Sequence, residues 1–191
     1  MIDVEGIKEK SHEEANELTK GEEEIRICSI GRFCDAKNFD NAVWMCKYLR
    51  EIGLNVKWYI IGYGNDEQKI RDEIEKANMK DFFILLGKKT NPYPYIKACD
   101  IYVQPSRYEG KAITVQEAQV LCKPVVITRY PTSSSQINNG VDGIIVPLDN
   151  KKAAEGIANF IRNKDLQQKI IENLHQKKYN QEQISIFEKV V

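Results

Sequence analysis

Two segments of the sequence carry side chains that suit phosphate and sugar chemistry. In the first, residues 31–38, Arg32 offers a planar guanidinium that matches phosphate oxygens, and Lys37 adds a second positive charge five residues later. Gly31 allows a ligand to approach the backbone closely, and a helix beginning after the segment would add partial positive charge at its N-terminus. These features predict a diphosphate site, although solvated loop cations are the commoner explanation of such a pair taken alone.

The second segment, residues 105–118, contains two carboxylates with seven residues between them, Glu109 and Glu117. Glu109 is expected in a loop, and Glu117 about one and a half turns into the following helix. Carboxylates so placed can accept hydrogen bonds from the hydroxyl groups of a polyhydroxylated ligand. An exposed helix glutamate is the usual alternative for Glu117, but Val115 and Ala118 flank it on a helix expected to pack on a sheet, where a charge needs a partner.

The elements that must position these segments alternate along the chain. Short runs rich in Ile, Val, Tyr and Phe predict strands at 25–30, 57–61, 82–86, 101–104, 124–128 and 143–146. Amphipathic stretches predict helices at 41–52 and 66–78, and the tail predicts helices at 153–161, 166–174 and 183–190. The alternation predicts a doubly wound, Rossmann-like α/β fold: a parallel sheet of about six strands closed by C-terminal helices. Ligands of such sheets bind where the strands end.

Composition and motifs exclude several classes of function. The 28 basic and 28 acidic residues balance, which disfavours a large nucleic-acid footprint. The second strand ends in Gly62, Tyr63 and Gly64, but no strand is followed by the Gly-x-Gly-x-x-Gly pattern of nicotinamide enzymes. Five widely spaced cysteines without a Cys-x-x-Cys pair favour a reducing compartment. With no long apolar run and no signal-peptide pattern, the expected location is the cytoplasm.

The first stretch of the chain differs from the rest in composition. Residues 1–24 are highly charged and poor in large apolar side chains, which predicts a linker or a short solvated helix. The domain itself is therefore expected to span residues 25–191. A linker implies a preceding folded unit, so we expect this chain to be part of a longer protein.

The ordered set of motifs resembles a known family. The set consists of Gly-Arg-x4-Lys after the first strand, a glycine turn after the second, and Pro-Ser-x2-Glu-Gly-x6-Glu-Ala after the fourth. It is similar to that of the retaining glycosyltransferases of the glycosyltransferase-B fold. More narrowly, it resembles the C-terminal "glycosyl transferases group 1" domain of those enzymes. The resemblance covers about residues 25–162. It implies a hexosyltransferase that uses a nucleoside-diphosphate sugar as donor.

The resemblance also implies roles for particular residues. Arg32 and Lys37 would hold the donor diphosphate and stabilise the leaving group without a metal ion. Glu109 would face the donor sugar and complete the catalytic set, while Glu117 would take the ribose hydroxyls. The backbone amides of Gly110 and Lys111, near the start of the next helix, would add contacts to the phosphates. The stretch around Gly87 and Lys88 would lie along the base, mainly through backbone groups. Gly31 and Gly62 complete the expected donor site.

Partners and alternatives follow from the same resemblance. UDP-sugar is the expected donor, and a separate N-terminal domain would bind a glycan or lipid-linked acceptor, so the chain alone is expected to be inactive. We further expect a role in bacterial polysaccharide synthesis and peripheral association of the full enzyme with the membrane. No contact with nucleic acid is expected. A non-catalytic nucleotide-binding or regulatory module of the same fold stays open. An unrelated doubly wound signalling domain would place an acidic or phosphoacceptor residue where Arg32 stands.

Overall fold

The predicted doubly wound parallel sheet is confirmed. A computed structural model describes residues 2–18, 21 and 23–177. Its six strands are β1 (Ile25–Ile30), β2 (Val56–Ile61), β3 (Phe83–Gly87), β4 (Ile101–Gln104), β5 (Val125–Thr128) and β6 (Ile144–Val146). They pair in parallel in the order β3-β2-β1-β4-β5-β6. Since both faces of such a sheet are covered by helices, its strands are largely apolar, with a few polar residues such as Arg26, Ser29 and Lys57.

Eight α-helices connect and cover the strands of the described chain. They are α1 (Val4–Lys10), α2 (Phe39–Glu51), α3 (Glu67–Ala77), α4 (Tyr93–Ala98), α5 (Ile113–Val120), α6 (Ser133–Gln136), α7 (Asn150–Arg162) and α8 (Lys164–Gln176). A 3₁₀ turn at Asp35–Lys37 precedes α2. The sequence did not predict α4 and α6, which are too short to show helical periodicity. The helix predicted at 183–190 lies outside the described residues.

The core consists of two layers, one on each face of the sheet. Alternate residues of β1 enter different layers: Ile27 packs with α2, α3, α7 and α8, whereas Cys28 packs with α4 and α5. The same alternation directs Trp58 into the first layer and Tyr102 into the second. Among the described residues, no helix is both long and apolar enough to cross a membrane.

The N-terminal segment packs against the second layer. Asp3 caps α1 by accepting the Gly6 backbone N–H, and Ile7 and Leu18 are buried. Glu17 accepts hydrogen bonds from the Lys89 ammonium and, at 2.8 Å, from the Tyr95 hydroxyl. These bonds, that of Lys89 foremost, lower the pKa of Glu17 to about 2. The segment predicted as a linker or short helix therefore lies on the domain, while the boundary at residue 24 stays a prediction.

Candidate functional site

The two segments singled out from the sequence meet at the centre of the sheet. The loop after β1 carries Arg32 and Lys37, and the loop after β4 carries Glu109. Since β1 and β4 are neighbouring strands, their loops lie side by side. The strand order also reverses direction between β1 and β4, and this switch point is where open α/β sheets form their ligand crevice.

A close ion pair joins the two loops. The Lys37 ammonium nitrogen lies 2.5 Å from Oε1 of Glu109, and the two side chains are only 19% and 9% exposed. A pair so shielded from water is less screened than an ion pair on the surface. The sequence placed both residues at one site but did not predict that they bond to each other.

Other polar contacts fix the position of these two loops relative to each other. The backbone N–H of Arg107 donates to the carbonyl of Ala36 at 2.8 Å, and the Arg107 guanidinium pairs with the Asp40 carboxylate at 3.4 Å. The Asn38 side-chain amide donates to the carbonyl of Pro105 at 2.9 Å from a left-handed backbone conformation. The position of Lys37 opposite Glu109 therefore results from several contacts beyond the ion pair itself.

Two buried polar side chains contact the same oxygen of Glu109. Oε1 accepts a hydrogen bond from the Ser106 hydroxyl at 2.6 Å and from the Gln104 amide at 3.2 Å, in addition to Lys37. Gln104 and Ser106 are fully buried. Ser106 belongs to the Pro-Ser-x2-Glu-Gly motif, but its contact with Glu109 was not predicted. Gln104 was not predicted as a site residue at all, although a glutamine that ends an otherwise apolar strand is a signal of such a role.

The predicted glycine positions form a row across the strand ends. The Gly31 N–H donates to the carbonyl of Ile61, and the Gly62 N–H donates to the carbonyl of Gly87, both at 3.0 Å. Gly62 packs directly on Gly31, so that an added Cβ would lie 1.9 Å from the Gly31 carbonyl oxygen. The loops after β1, β2 and β3 thus approach each other closely, with backbone groups at their junction.

The remaining cations of the predicted set point to solvent. Arg32 and Lys111 are exposed and make no hydrogen bond or ion pair with any described residue. Lys88 is also exposed, and its ammonium lies 5.2 Å from the centre of the Tyr63 ring. Gly110 has open space around it. These groups are accessible to an anionic ligand above the strand ends.

Glu117 is a half-buried carboxylate with one hydrogen-bond partner within the described part of the chain. The Tyr93 hydroxyl donates to its Oε1 at 3.1 Å. Burial raises the pKa of Glu117, and the hydrogen bond from Tyr93 opposes this shift. Burial, together with the nearby Glu117 charge, also raises the pKa of Tyr93 to about 12. The partner expected for a charge on this helix is thus Tyr93, which was missed because α4 was not predicted.

The loop after β5 supports the loop that carries Glu109. The Thr132 hydroxyl donates to the carbonyl of Glu109 at 2.7 Å, and the Gln136 amide donates to the carbonyl of Gly110 at 3.3 Å. The Ala112 N–H, one of the amides near the start of α5, is occupied by Gln136 Oε1 at 2.9 Å. The amides of Gly110 and Lys111 remain without a hydrogen-bond acceptor among the described residues.

Comparison with known proteins gives consistent matches. Residues 10–177 match the protein family described as "Glycosyl transferases group 1". The amylovoran biosynthesis glycosyltransferase AmsK of Erwinia amylovora is 27% identical over 141 residues, which cover 70% of this chain and 35% of AmsK. A TarM variant from S. aureus, crystallised with UDP and α-GlcNAc-glycerol, is 26% identical with a TM-score of 0.69, over 80% of this chain and 32% of TarM.

One solved structure matches over nearly its whole length. The C-terminal domain of LpcC from Francisella tularensis superposes with a TM-score of 0.76 at 19% identity, covering 92% of this chain and 95% of that domain. This likeness concerns the fold. The chain spans only about a third of the length of AmsK and of TarM. The family match covers most of the chain, and the chain therefore belongs to the group 1 glycosyl transferases.

Proposed function

We propose that this chain is the donor-binding domain of a retaining glycosyltransferase. The single observation that carries the proposal is the Lys37–Glu109 pair at the β1/β4 switch point, beside the exposed guanidinium of Arg32. This arrangement places positive charge for a diphosphate next to a carboxylate for a sugar. Membership of the glycosyltransferase family and the presence of UDP in the TarM crystal support the same ligand class.

The cations act on the phosphate end of the donor. Arg32 binds the diphosphate with two parallel hydrogen bonds, and Lys37 adds a point charge. When the bond between the anomeric carbon and the β-phosphate oxygen breaks, its electron pair stays on the diphosphate, and fixed positive charge stabilises that product. The acceptor hydroxyl forms the new bond from the same face, with its proton passing to the departing phosphate oxygen. The stereochemistry of the sugar is thereby retained.

The carboxylates and glycines act on the rest of the donor. Glu109 accepts a hydrogen bond from a sugar hydroxyl, and Glu117 accepts hydrogen bonds from the ribose hydroxyls. The stretch around Gly87 and Lys88 lies along the base, mainly through its backbone groups, and uracil is the proposed base. The free amides of Gly110 and Lys111 contact the phosphates.

The complete enzyme contains further parts in this proposal. A separate N-terminal domain binds a glycan or lipid-linked acceptor and closes the cleft, so the chain alone transfers no sugar efficiently. Relatives such as AmsK, named for amylovoran biosynthesis, support a role in bacterial polysaccharide synthesis. A metal-independent reaction in the cytoplasm, with the full enzyme associated peripherally with the membrane, completes the proposal.

Calorimetric titration with UDP, GDP and ADP tests the proposed ligand. We expect saturable binding of UDP, weakened by about 10- to 100-fold in Arg32→Ala because a bidentate phosphate contact is lost. Arg71→Ala is the matched control, since Arg71 is an exposed arginine whose ion pair, with Glu67, lies within α3 and away from the site. A chain that is folded but binds none of the three nucleotides, or binds UDP equally well without Arg32, would contradict the proposal.

Replacement of Glu117 is expected to weaken binding while stabilising the chain. The pKa of Glu117 lies above the ordinary value of 4.5, so its ionised form opposes folding at neutral pH, and this cost disappears as the pH falls below 4.5. Glu117→Gln keeps an acceptor for Tyr93 without the charge. Because the group is only half-buried, we expect a gain of about 0.5–1 kcal/mol in the free energy of unfolding at pH 7 and none at pH 4.

The same variant loses the ionised acceptor for the ribose hydroxyls. We expect UDP to bind about tenfold more weakly, since hydrogen bonds to a charged group are worth more than those to a neutral amide. Chemical denaturation and calorimetry measure the two effects. Glu172→Gln, on the exposed surface of α8, serves as the control that changes neither. A lower free energy of unfolding in Glu117→Gln would contradict this prediction, because it would mean that the ionised carboxylate stabilises the folded chain.

A further inference from the structure

Gln104 is a polar residue in a place where the sheet is otherwise apolar. It is the last residue of β4, at the centre of the six-stranded sheet, and its exposed fraction is zero. The three residues before it in the strand are buried hydrophobic side chains. Burying an amide costs free energy unless all its hydrogen-bonding groups are satisfied, so a glutamine here calls for an explanation.

Every polar atom of the Gln104 side chain has a partner. Its nitrogen donates to Ser106 Oγ at 2.9 Å and to Glu109 Oε1 at 3.2 Å. Its oxygen accepts from the Tyr102 hydroxyl at 2.9 Å and from the Thr114 hydroxyl at 3.4 Å. An ionised carboxylate only accepts hydrogen bonds, so the nitrogen must face Glu109 and the oxygen must face the two hydroxyls. The amide is therefore held in one orientation.

The network leaves the two oxygens of Glu109 in different states. Oε1 receives three donors, from Lys37, Ser106 and Gln104. Oε2 has no hydrogen-bond partner among the described residues, yet it is not fully enclosed. Since the donors converge on one oxygen, the carboxylate is fixed in rotation, and the other oxygen is available to a ligand.

We propose that Gln104 is a positioning residue, which holds Glu109 so that Oε2 alone faces the donor sugar and accepts a hydrogen bond from one of its hydroxyl groups. This inference rests on the proposed function of the site. Lys37 and Ser106 donate to Glu109 from the two loops, and Gln104 adds a third donor from the end of β4. Tyr102 and Thr114 act through Gln104 by fixing the direction of its amide.

The role of Gln104 can be separated from a merely structural one by comparing two ligands. UDP lacks the sugar, so its binding does not use the free oxygen of Glu109, whereas UDP-glucose and UDP-N-acetylglucosamine present sugar hydroxyls. The quantity to measure is the ratio of the Kd of UDP to the Kd of the better-bound UDP-sugar, by calorimetry. General damage to the domain changes both constants and leaves the ratio in place.

Gln104→Met is the principal variant because it keeps the length and volume of the side chain but removes its hydrogen bonds. We expect the ratio to fall by about 5- to 10-fold, with the Kd of UDP changed by less than about twofold. Gln119→Met is the matched control: Gln119 is equally buried, but it donates to the carbonyl of Asp142, outside the site. That variant is expected to leave the ratio unchanged whatever its effect on stability.

Tyr102→Phe provides a second test if Gln104→Met does not fold. It removes a single hydroxyl, so the Gln104 amide loses one of the bonds that set its direction, and we expect the ratio to fall by about two- to threefold. A ratio that stays constant in the folded variants, or falls equally in Gln119→Met, overturns the inference and leaves the proposed function intact. If the parent chain binds neither UDP nor a UDP-sugar, the proposed function fails, and the inference fails with it.

Discussion

Gly62→Ala is expected to lower the free energy of unfolding by about 3 kcal/mol or more. The added Cβ would lie 1.9 Å from the Gly31 carbonyl oxygen and 3.0 Å from the Phe33 ring. A backbone oxygen cannot rotate away as a flexible side chain does, so the two loops must separate. The effect is therefore expected at the upper end of the range for overpacking substitutions.

The separation of these loops also disturbs the candidate site. Gly31 begins the loop that carries Arg32 and Lys37, and this loop is bonded to the next one through the Phe33 N–H and the Tyr63 carbonyl at 2.8 Å. Any shift of this loop moves Lys37 relative to Glu109. We therefore expect UDP affinity to fall as well, even at temperatures where the variant is still folded.

Gly110→Ala is the control for this stability measurement. An added Cβ at Gly110 meets no atom within 4 Å, so its effect on the free energy of unfolding is expected to stay within about 0.5 kcal/mol. Urea denaturation of the three chains measures the difference. A Gly62→Ala variant as stable as Gly110→Ala would mean that the loops after β1 and β2 are not in close contact at Gly31 and Gly62.

The strands were predictable because their signal is local. The strands predicted at 25–30 and 101–104 match β1 and β4 residue for residue, and the others differ by one residue at one or both ends. Each is a short, mostly apolar run bounded by polar or turn-forming residues, which is typical of a parallel sheet. The order of strand and helix then determines the edge at which the loops of the site meet.

The polar contacts of the site were not predictable in the same way. Glu117 was expected to need a partner, but Tyr93 is 24 residues away in sequence and lies on a six-residue helix without a periodic pattern. The contact between Gly31 and Gly62 depends on the pairing of β1 with β2. When strand pairing brings two residues together, their separation along the sequence follows no regular spacing, so the sequence does not identify the contact.

Gln104 shows where a local signal was present but was not used. A glutamine at the end of an apolar strand violates the hydrophobic pattern, and such violations are expected at functional sites. The side-chain nitrogen of Gln104, however, donates to Glu109, which lies in the loop after the strand. The pattern can flag the residue, but only the structure identifies the oxygen that it contacts.

Lys37→Met and Glu109→Gln are expected to have opposite effects on UDP binding. Lys37→Met removes a cation from the diphosphate and leaves the Glu109 carboxylate to repel it, so UDP affinity should fall by about 30- to 100-fold. The Lys37 ammonium is bonded to Glu109 at 2.5 Å, so the carboxylate competes with the phosphate for that charge. Glu109→Gln removes the competitor, and UDP should bind about threefold more tightly.

The stability of the same variants follows a different order. Lys37→Met leaves a largely buried carboxylate without its counter-charge, which we expect to cost about 2–3 kcal/mol of unfolding free energy. Glu109→Gln leaves the more exposed partner unpaired and should cost less. The double variant restores neutrality, so its loss should be smaller than the sum by about 1–2 kcal/mol.

Calorimetry with UDP and with a UDP-sugar, on all four chains of this cycle, distinguishes the roles of the two residues. Glu109→Gln should bind the UDP-sugar more weakly while binding UDP more tightly, because only the sugar uses the carboxylate. Lys37→Met should weaken the binding of both ligands by a similar factor. Equal losses of UDP affinity in the two single variants would contradict this division, since they would mean that Glu109 supports the phosphate site and does not serve the sugar.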